Sequence, residues 1–480
     1  MIKASATSKS FQSLKSLLPR PLSDGLPSNE LDLLYFQLFQ SYSTADLSGY
    51  FPSDFWNRLI LQHSHYDTSI KDAIIAIGAL YKSIEVAQDS KIRLNTKSAH
   101  LEHFESAIRH YQKALRSQRR TFEIGRPQLR TSLISCLLFI CFEALQSDHH
   151  SVVRQILCGV HLLQEYCPLS AGGHSSLSDQ IDEEISQTFA RLEVQLRTFD
   201  DGRPQRYQLP QLVSKLPSSC TKDSFSKIQK EKQRLRPIES LEEARHSWDL
   251  LFPRILDARQ RAEPYRYFTR KNVPLDIVME VDRWTEELFS WGATFDTFFQ
   301  KTWNDISGKN RAGAAAIKIG YHFAYIKISA CFGLFETVYD SFLADFQEIV
   351  RLSKYLLQTK RPSLFQKATF MLDSVIGLPL FLTGMKCRDR ILRREANALL
   401  KSSKRREGMW DFEIGVPIIE WVISIEETGL GPHQVVPECN RFRMLDITGD
   451  LRTRTGWVRC GQHTHEGEDF INVKEMDFTF

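Results

Sequence analysis

Phosphate-cradling glycine loops, a nucleophile elbow, a complete acidic metal run and a membrane-length apolar stretch are all missing from this chain of 480 residues. Neither G-x-x-x-x-G-K-[ST] nor G-x-G-x-x-G occurs among its 23 glycines. No loop is therefore encoded whose backbone amides would converge on a nucleotide phosphate. G-x-S-x-G is absent too, which removes the sharp turn that exposes a serine nucleophile. The nearest approach, Ser170-Ala171-Gly172-Gly173-His174-Ser175, has its glycines in the wrong register and reads as a turn between helices. The most apolar stretch, Leu133 to Leu145, is interrupted by Ser135 and Glu143. It falls well short of the ~20 residues of a membrane span and reads as a central core helix. The N-terminus has no continuous apolar segment of signal-peptide length, which argues against secretion. Charge of one sign is also scarce: 62 basic residues face 58 acidic ones, a net +4. That excess is too small to imply nucleic acid by bulk electrostatics.

The nine cysteines form no regular framework, and the first is Cys136. An odd count with several members in apolar helical text favours reduced, buried thiols and an intracellular compartment. Cys136 and Cys141 lie five apart on the core helix and so do not share a face; they read as packing residues, as do Cys158 and Cys167. Cys460, His463 and His465 put three ligand types within six residues, but a closed metal site needs a fourth, and none is close in sequence. They are expected to form an exposed polar tail. A mainly helical chain also raises isoprenoid cyclisation, which needs magnesium held by helical carboxylates. Asp200-Asp201-Gly202-Arg203-Pro204 has no third acid, and Asn304-Asp305-Ile306-Ser307-Gly308 has glycine where a hydroxyl ligand belongs. The expectation is no enzyme, with no catalytic, cofactor-binding or metal-ligating residue and no cofactor.

What the chain has in abundance is helical periodicity. Ile70, Ala73, Ile74, Ile77, Leu80, Tyr81 and Ile84 mark one buried helix face. Further helical patterns run near 97–118, 129–145, 150–166, 178–200, 239–262, 274–304, 311–339, 345–358, 363–384, 388–402 and 409–427. From Arg441 to Ile447 the text alternates, Gly449-Asp450 reads as a turn, and Gly456 to Cys460 as a second strand. The expected fold is mainly α: an irregular multi-helix bundle in one or two lobes with a small C-terminal β-hairpin. Residues 1–29 read as a flexible Ser/Lys-rich lead-in, 30–200 as an N-terminal helical lobe and 201–238, with four prolines, as a linker or surface excursion. Residues 239–438 then form a C-terminal helical lobe, and 439–480 the hairpin and tail.

One basic run stands out. Lys401, Lys404, Arg405 and Arg406 follow Arg388, Arg390, Arg393 and Arg394 on the preceding helix. Such a run is either a nuclear-import signal or phosphate-facing patch, or a solvated helix face. Asp389, Glu395 and Glu407 are interleaved with it.

Taken in order, several segments resemble one family. They are LLYFQLFQSYSTADLSGYFPSDFWNRLILQHSHYDTSIKDAIIAIGALYKSIE from Leu33, HFESAIRHYQKALRSQRR, LISCLLFICFEAL, FARLEVQLRTFDD, SLEEARHSWDLL, KCRDRILRREANALLKSSKRREGMWD and EWVISIEE. Their order and spacing are similar to the regulatory region of fungal zinc-cluster transcription factors, the fungal-specific transcription factor domain family, over about Leu31 to Cys460. Members of that family usually begin with a six-cysteine zinc cluster that reads DNA. Nothing upstream of Cys136 supplies those cysteines here, and no basic recognition helix replaces them.

The resemblance therefore implies a nuclear transcription regulator without a recognisable DNA-binding module. It would work through other transcription regulators or the transcription machinery, with weak or no direct DNA binding and no membrane contact. Control of a secondary-metabolite biosynthetic gene cluster is an extension of the same resemblance. The alternative is a helical small-molecule-sensing or scaffold protein outside transcription, answering to a small-molecule effector.

Overall fold

The computed structural model describes residues 29–43, 47–89, 97–125, 128–166, 183–199, 237–359, 370–403, 406–408, 410–450, 453–463 and 470–480. The lead-in, apart from Asn29, and the excursion, apart from its last two residues, lie outside them. Among the described residues 73% are helical, in 14 α-helices and shorter turns, with a small C-terminal antiparallel sheet. The mainly α expectation is what the structure shows.

Two hydrophobic cores organise the chain. The first gathers α1 (Glu30–Leu38), α2 (Ile60–Ser64), α3 (Thr68–Asp89), α4 (Lys97–Glu123), α5 (Leu129–Leu145), α6 (His149–Tyr166) and α7 (Glu183–Phe199). α5 sits at its centre, with 14 of its 17 residues buried, as an all-round apolar helix must. Its buried hydroxyls find partners on neighbouring helices. Gln118 Nε2 donates to Ser132 Oγ at 2.8 Å, and the Ser135 and Ser69 hydroxyls lie 3.2 Å apart. α3 crosses α1 so closely that Gly78 meets the Tyr35 carbonyl, where an added Cβ would stand 1.9 Å away.

The second core gathers α8 (Leu241–Ala262), α9 (Leu275–Asn304), α10 (Arg311–Ser329), α11 (Leu343–Thr359), α12 (Gly377–Lys386), α13 (Arg390–Ser403) and α14 (Phe412–Glu426). α8 starts where Ser240 Oγ accepts from Glu243 N–H at 3.1 Å and Glu243 accepts in return from Glu239 N–H at 2.9 Å, a reciprocal cap. Against this core lies the sheet of β4 (Arg443–Asp450), β5 (Thr455–Gln462) and β6 (Ile471–Thr479), all antiparallel.

The cores are joined through β1 (Phe370–Met371) and the residues after it. Phe370 and Leu372 belong to the first core and Met371 to the second, so the two-residue alternation of an extended chain feeds both. β1 pairs in parallel with β2 (Arg406–Glu407), which turns back into β3 (Trp410–Asp411). Just beyond β1, Asp373 accepts from Arg191 Nε of α7 at 3.1 Å and from Arg245 of α8 at 2.8 Å. Arg191 also reaches Asp249 at 3.1 Å. Burial pushes the Asp373 carboxyl up, but the two guanidiniums outweigh it and hold it below the ordinary aspartate value.

Several local expectations change. The pattern 311–339 is interrupted, because α10 ends at Ser329 and a short 3-10 helix, Glu336–Phe342, follows the bend at Gly333, whose φ is +149°. The pattern 363–384 starts late: within its described part, 370–371 is strand and α12 begins at Gly377. The reason is remote. One carboxylate oxygen of Glu407 accepts from the backbone N–H groups of Val375, Ile376 and Gly377 at 2.8, 2.8 and 3.0 Å. A side chain from β2 thus fixes the start of α12. Strand is accordingly not confined to the last forty residues. Gly449-Asp450 does not turn but continues β4, with Gly449 opposite Gly456 on β5, and the C-terminal element gains β6 as a third strand.

Gly78→Ala should destabilise the chain by roughly 1–3 kcal/mol or more, since the added methyl meets backbone that cannot step aside. Gly431→Ala, whose added Cβ would meet nothing nearer than 3.6 Å, should leave the urea midpoint nearly unchanged. Equal midpoints for the two variants would refute the close α1–α3 crossing.

Candidate functional site

The basic segment 386–407 is the strongest functional candidate in the sequence, and its side chains turn out to be sorted by burial. Asp389 caps α13, accepting from Ile391 and Leu392 N–H at 3.1 and 2.8 Å. The helix then buries Leu392, Ala396 and Leu400, and on the same side Arg393 and Asn397. Arg393 is 0% exposed, its guanidinium 2.9 Å from Glu426 Oε2 on α14, itself 0% exposed. Arg388 is buried beside it, 2.7 Å from Glu426 Oε1 and 3.2 Å from Glu336 Oε2.

Glu336 is the second hub. Lys386 Nζ donates to both of its oxygens, at 2.9 and 2.8 Å, and Arg443 Nε of β4 lies at 3.4 Å. Burial raises the Glu336 carboxyl, but Lys386, Arg388 and Arg443 around it outweigh that and hold it at about 2. Glu426 Oε1 also accepts from Phe442 N–H at 2.9 Å, which ties the start of the sheet to α14. Toward the surface, Glu427 takes Arg394 through two bonds of 3.0 and 2.6 Å, with Arg390 Nε at 3.8 Å.

The reading of 388–394 as either a phosphate-facing patch or a solvated helix face is therefore corrected for Arg388 and Arg393, while Arg394 stays on the exposed face. Arg388 and Arg393 point inward onto glutamates, and Arg390 and Arg394 are shared by Glu427. Of the import run, Lys401 is two-thirds exposed and lies 3.1 Å from Glu420. Arg406 is half-buried, donating to Asp411 Oδ2 at 2.9 Å and to Ser147 Oγ, just past α5, at 2.7 Å. It serves the contact between the cores. Lys404 and Arg405 lie outside the described residues.

The cysteine–histidine cluster is dispersed. Cys460 is fully buried, and burial pushes its thiol up to about 12. His463 is buried too, stacked on Tyr267 with ring centroids 5.0 Å apart. The expected exposed tail is thus corrected for both; His465 lies outside the described residues. No group of three or more His, Cys, Asp and Glu able to hold a metal occurs among the described residues. Cys141 is fully buried, and burial lifts its thiol far above the ordinary range. Asp305 closes the α9–α10 turn, accepting from Ser307 N–H at 3.1 Å and Ser307 Oγ at 2.5 Å. The stretches 170–175 and 200–204 lie outside the described residues.

A shallow open groove of about 380 Å³ lies between the approach to α8 and one face of α9, where its described lining is Pro237, Ile238, Ser290, Ala293, Thr294 and Thr297. Those side chains are small or uncharged and offer no reactive group. Among the described residues no helix is long and apolar enough to cross a membrane.

Residues 33–194 match the family model for the fungal specific transcription factor domain. That span runs from α1 into α7 and so takes in most of the first core. The remainder of the wider resemblance, up to Cys460, lies beyond the match. No curated protein and no solved structure matches the chain.

Glu426→Gln removes the charge that Arg388 and Arg393 share. Leaving buried cations without their carboxylate should cost about 3–5 kcal/mol. Arg394→Ala, which breaks an ion pair half-open to water, should cost under about 1 kcal/mol. Urea unfolding of both variants measures the difference, and comparable losses would show that the buried hub carries no special weight.

The Glu336 network also predicts an acid sensitivity. An unfolded glutamate titrates near ~4.3, so the stability given by the depressed carboxyl is complete above that pH. It is lost as pH falls from about 4.3 toward 2. Glu336→Gln should flatten the dependence of unfolding free energy on pH in that window. An unchanged slope in the variant would mean that Glu336 is not held ionised by its neighbours.

Proposed function

We propose that this protein is a fungal transcription regulator that acts in the nucleus through other regulators or the transcription machinery, not by reading DNA itself. The observation that carries the reading is the match of residues 33–194 to the fungal specific transcription factor domain. That family implies a non-enzymatic regulator. Control of a secondary-metabolite gene cluster is the biological setting we favour, on the resemblance alone.

The electrostatics of α13 support the second half. A DNA-reading element needs clustered cations directed outward, with side chains able to reach base edges. Here the arginines of α13 are engaged by Glu426 and Glu427, and Lys401 by Glu420. With a net charge of only +4, contact with duplex DNA should be non-specific, salt-sensitive and in the range of about 10⁻⁴ to 10⁻⁶ M. Nuclear entry we assign to Lys401, Lys404 and Arg405, with Arg406 contributing mainly to the fold.

The test is a tethering experiment in a fungal host. Fused to an unrelated DNA-binding domain, the chain should change reporter output, while the untethered chain gives no sequence-specific shift of duplex DNA at physiological salt. Lys401→Ala/Lys404→Ala/Arg405→Ala should lower nuclear accumulation of a fluorescent fusion, with the fold preserved. A reporter indifferent to the tethered chain would sink the regulatory reading and favour a sensing or scaffold role outside transcription. Nanomolar sequence-specific binding by the isolated chain would instead overturn the claim that it needs partners.

A further inference from the structure

α5 and α6 form an antiparallel hairpin joined by the three residues Gln146, Ser147 and Asp148. Cys136 lies nine residues before the end of α5, and Cys158 nine residues after the start of α6. At ~1.5 Å per residue the two are at the same height above the turn on adjoining helices, close enough that each thiol acts on the ionisation of the other. Their exposures differ. Cys136 is buried at the edge of the core helix, while Cys158 stands exposed on the flank of α6. Sequence reasoning missed this pair, because twenty-two positions and a turn separate the two residues and each alone reads as packing.

We propose that Cys136 and Cys158 form an oxidisable dithiol, a modification site in which Cys158 reacts first with a hydroperoxide and Cys136 then closes a disulfide. The Cys136 thiol favours the Cys158 thiolate, burial opposes it, and the nearby His161 imidazole adds to the favourable side; together they bring that thiol below its ordinary value. The partner thiol is raised, by Cys158 and through burial. A thiolate exposed to solvent beside a protonated resolving thiol is the arrangement that such oxidation requires.

In the first step the Cys158 sulfur attacks one oxygen of hydrogen peroxide. An S–O bond forms, the O–O bond breaks, and the leaving hydroxide takes up a proton to become water. In the second, the Cys136 sulfur attacks the sulfenic sulfur. The S–S bond forms, the S–O bond breaks, and the departing hydroxide carries off the Cys136 proton as water. Two thiols lose two electrons and two protons, and the peroxide is reduced to two waters. The product links α6 covalently to the central helix of the first core.

The experiment uses the full reduced chain. Treated with a small excess of hydrogen peroxide and mapped by mass spectrometry, it should yield one intramolecular crosslink lighter by two hydrogens. Fragmentation must place the link between Cys136 and Cys158, because Cys141 and Cys167 share their tryptic peptides. Before oxidation, Cys158 should be alkylated at neutral pH about tenfold faster than Cys439, an exposed cysteine whose thiol donates to Asn440. In Cys136→Ser the reaction should stop at a sulfenic acid on Cys158 that dimedone traps. A crosslink from Cys158 to Cys167, or alkylation of Cys158 no faster than of Cys439, would overturn the proposal. The crosslink and the alkylation rate are read on the unaltered chain, so they stand even where the variant misfolds.

Discussion

Asp373 is the residue on which the two cores meet. It follows the short strand β1, whose alternate side chains enter different cores, and it holds Arg191 from α7 and Arg245 from α8. Arg245 also lies over the Phe51 ring, 3.9 Å from its centroid, so the pair reaches back to the segment before α2. Gln195 completes the arrangement by donating to the Leu372 carbonyl at 2.7 Å. With the Asp373 carboxylate neutralised, two mostly buried guanidiniums would keep only Asp249 between them, and each would weigh against the closed junction.

The second core relies on a similar device. Glu336 and Glu426 bind Lys386, Arg388, Arg393 and Arg443, which come from the end of α12, the turn into α13, α13 itself and β4. Isolated buried ions are costly; here each carboxylate serves at least two cations, and Glu426 takes a backbone amide as well. The network fixes where the sheet docks. Apolar packing alone would tolerate small shifts of β4 against α14, whereas charges spaced for one register do not.

Most of the helices were legible because core-facing periodicity is a local signal. Ile70 to Ile84 and Leu133 to Leu145 needed nothing beyond their own spacing. What was not legible depended on partners distant in sequence. The start of α12 is set by Glu407, the end of α10 precedes a glycine at positive φ, and β6 shows little clean alternation because Ile471 and Val473 face outward. The basic segment shows the same limit more sharply. Composition alone does not distinguish an arginine directed at water from one seated on a glutamate, and Arg393 lies thirty-three residues from its partner Glu426. The Cys136–Cys158 pair escaped for the same reason.

The matched segment is not a self-contained body. Its core is completed by Phe370 and Leu372, contributed from far along the chain, and Arg406 of β2 donates to the Leu145 carbonyl at 3.3 Å and to Ser147. In return, Tyr50 from within the matched span is buried in the second core. Cutting after residue 194 would expose these faces and leave Arg191 without Asp373 and Asp249. The matched segment thus relies on contacts from the longer fold, and Arg393, the buried cation of α13, contributes to that architecture through Glu426. Each core takes residues from the other's stretch of chain, Phe370 and Leu372 in one direction and Tyr50 in the other, so the two are packed as interdependent parts.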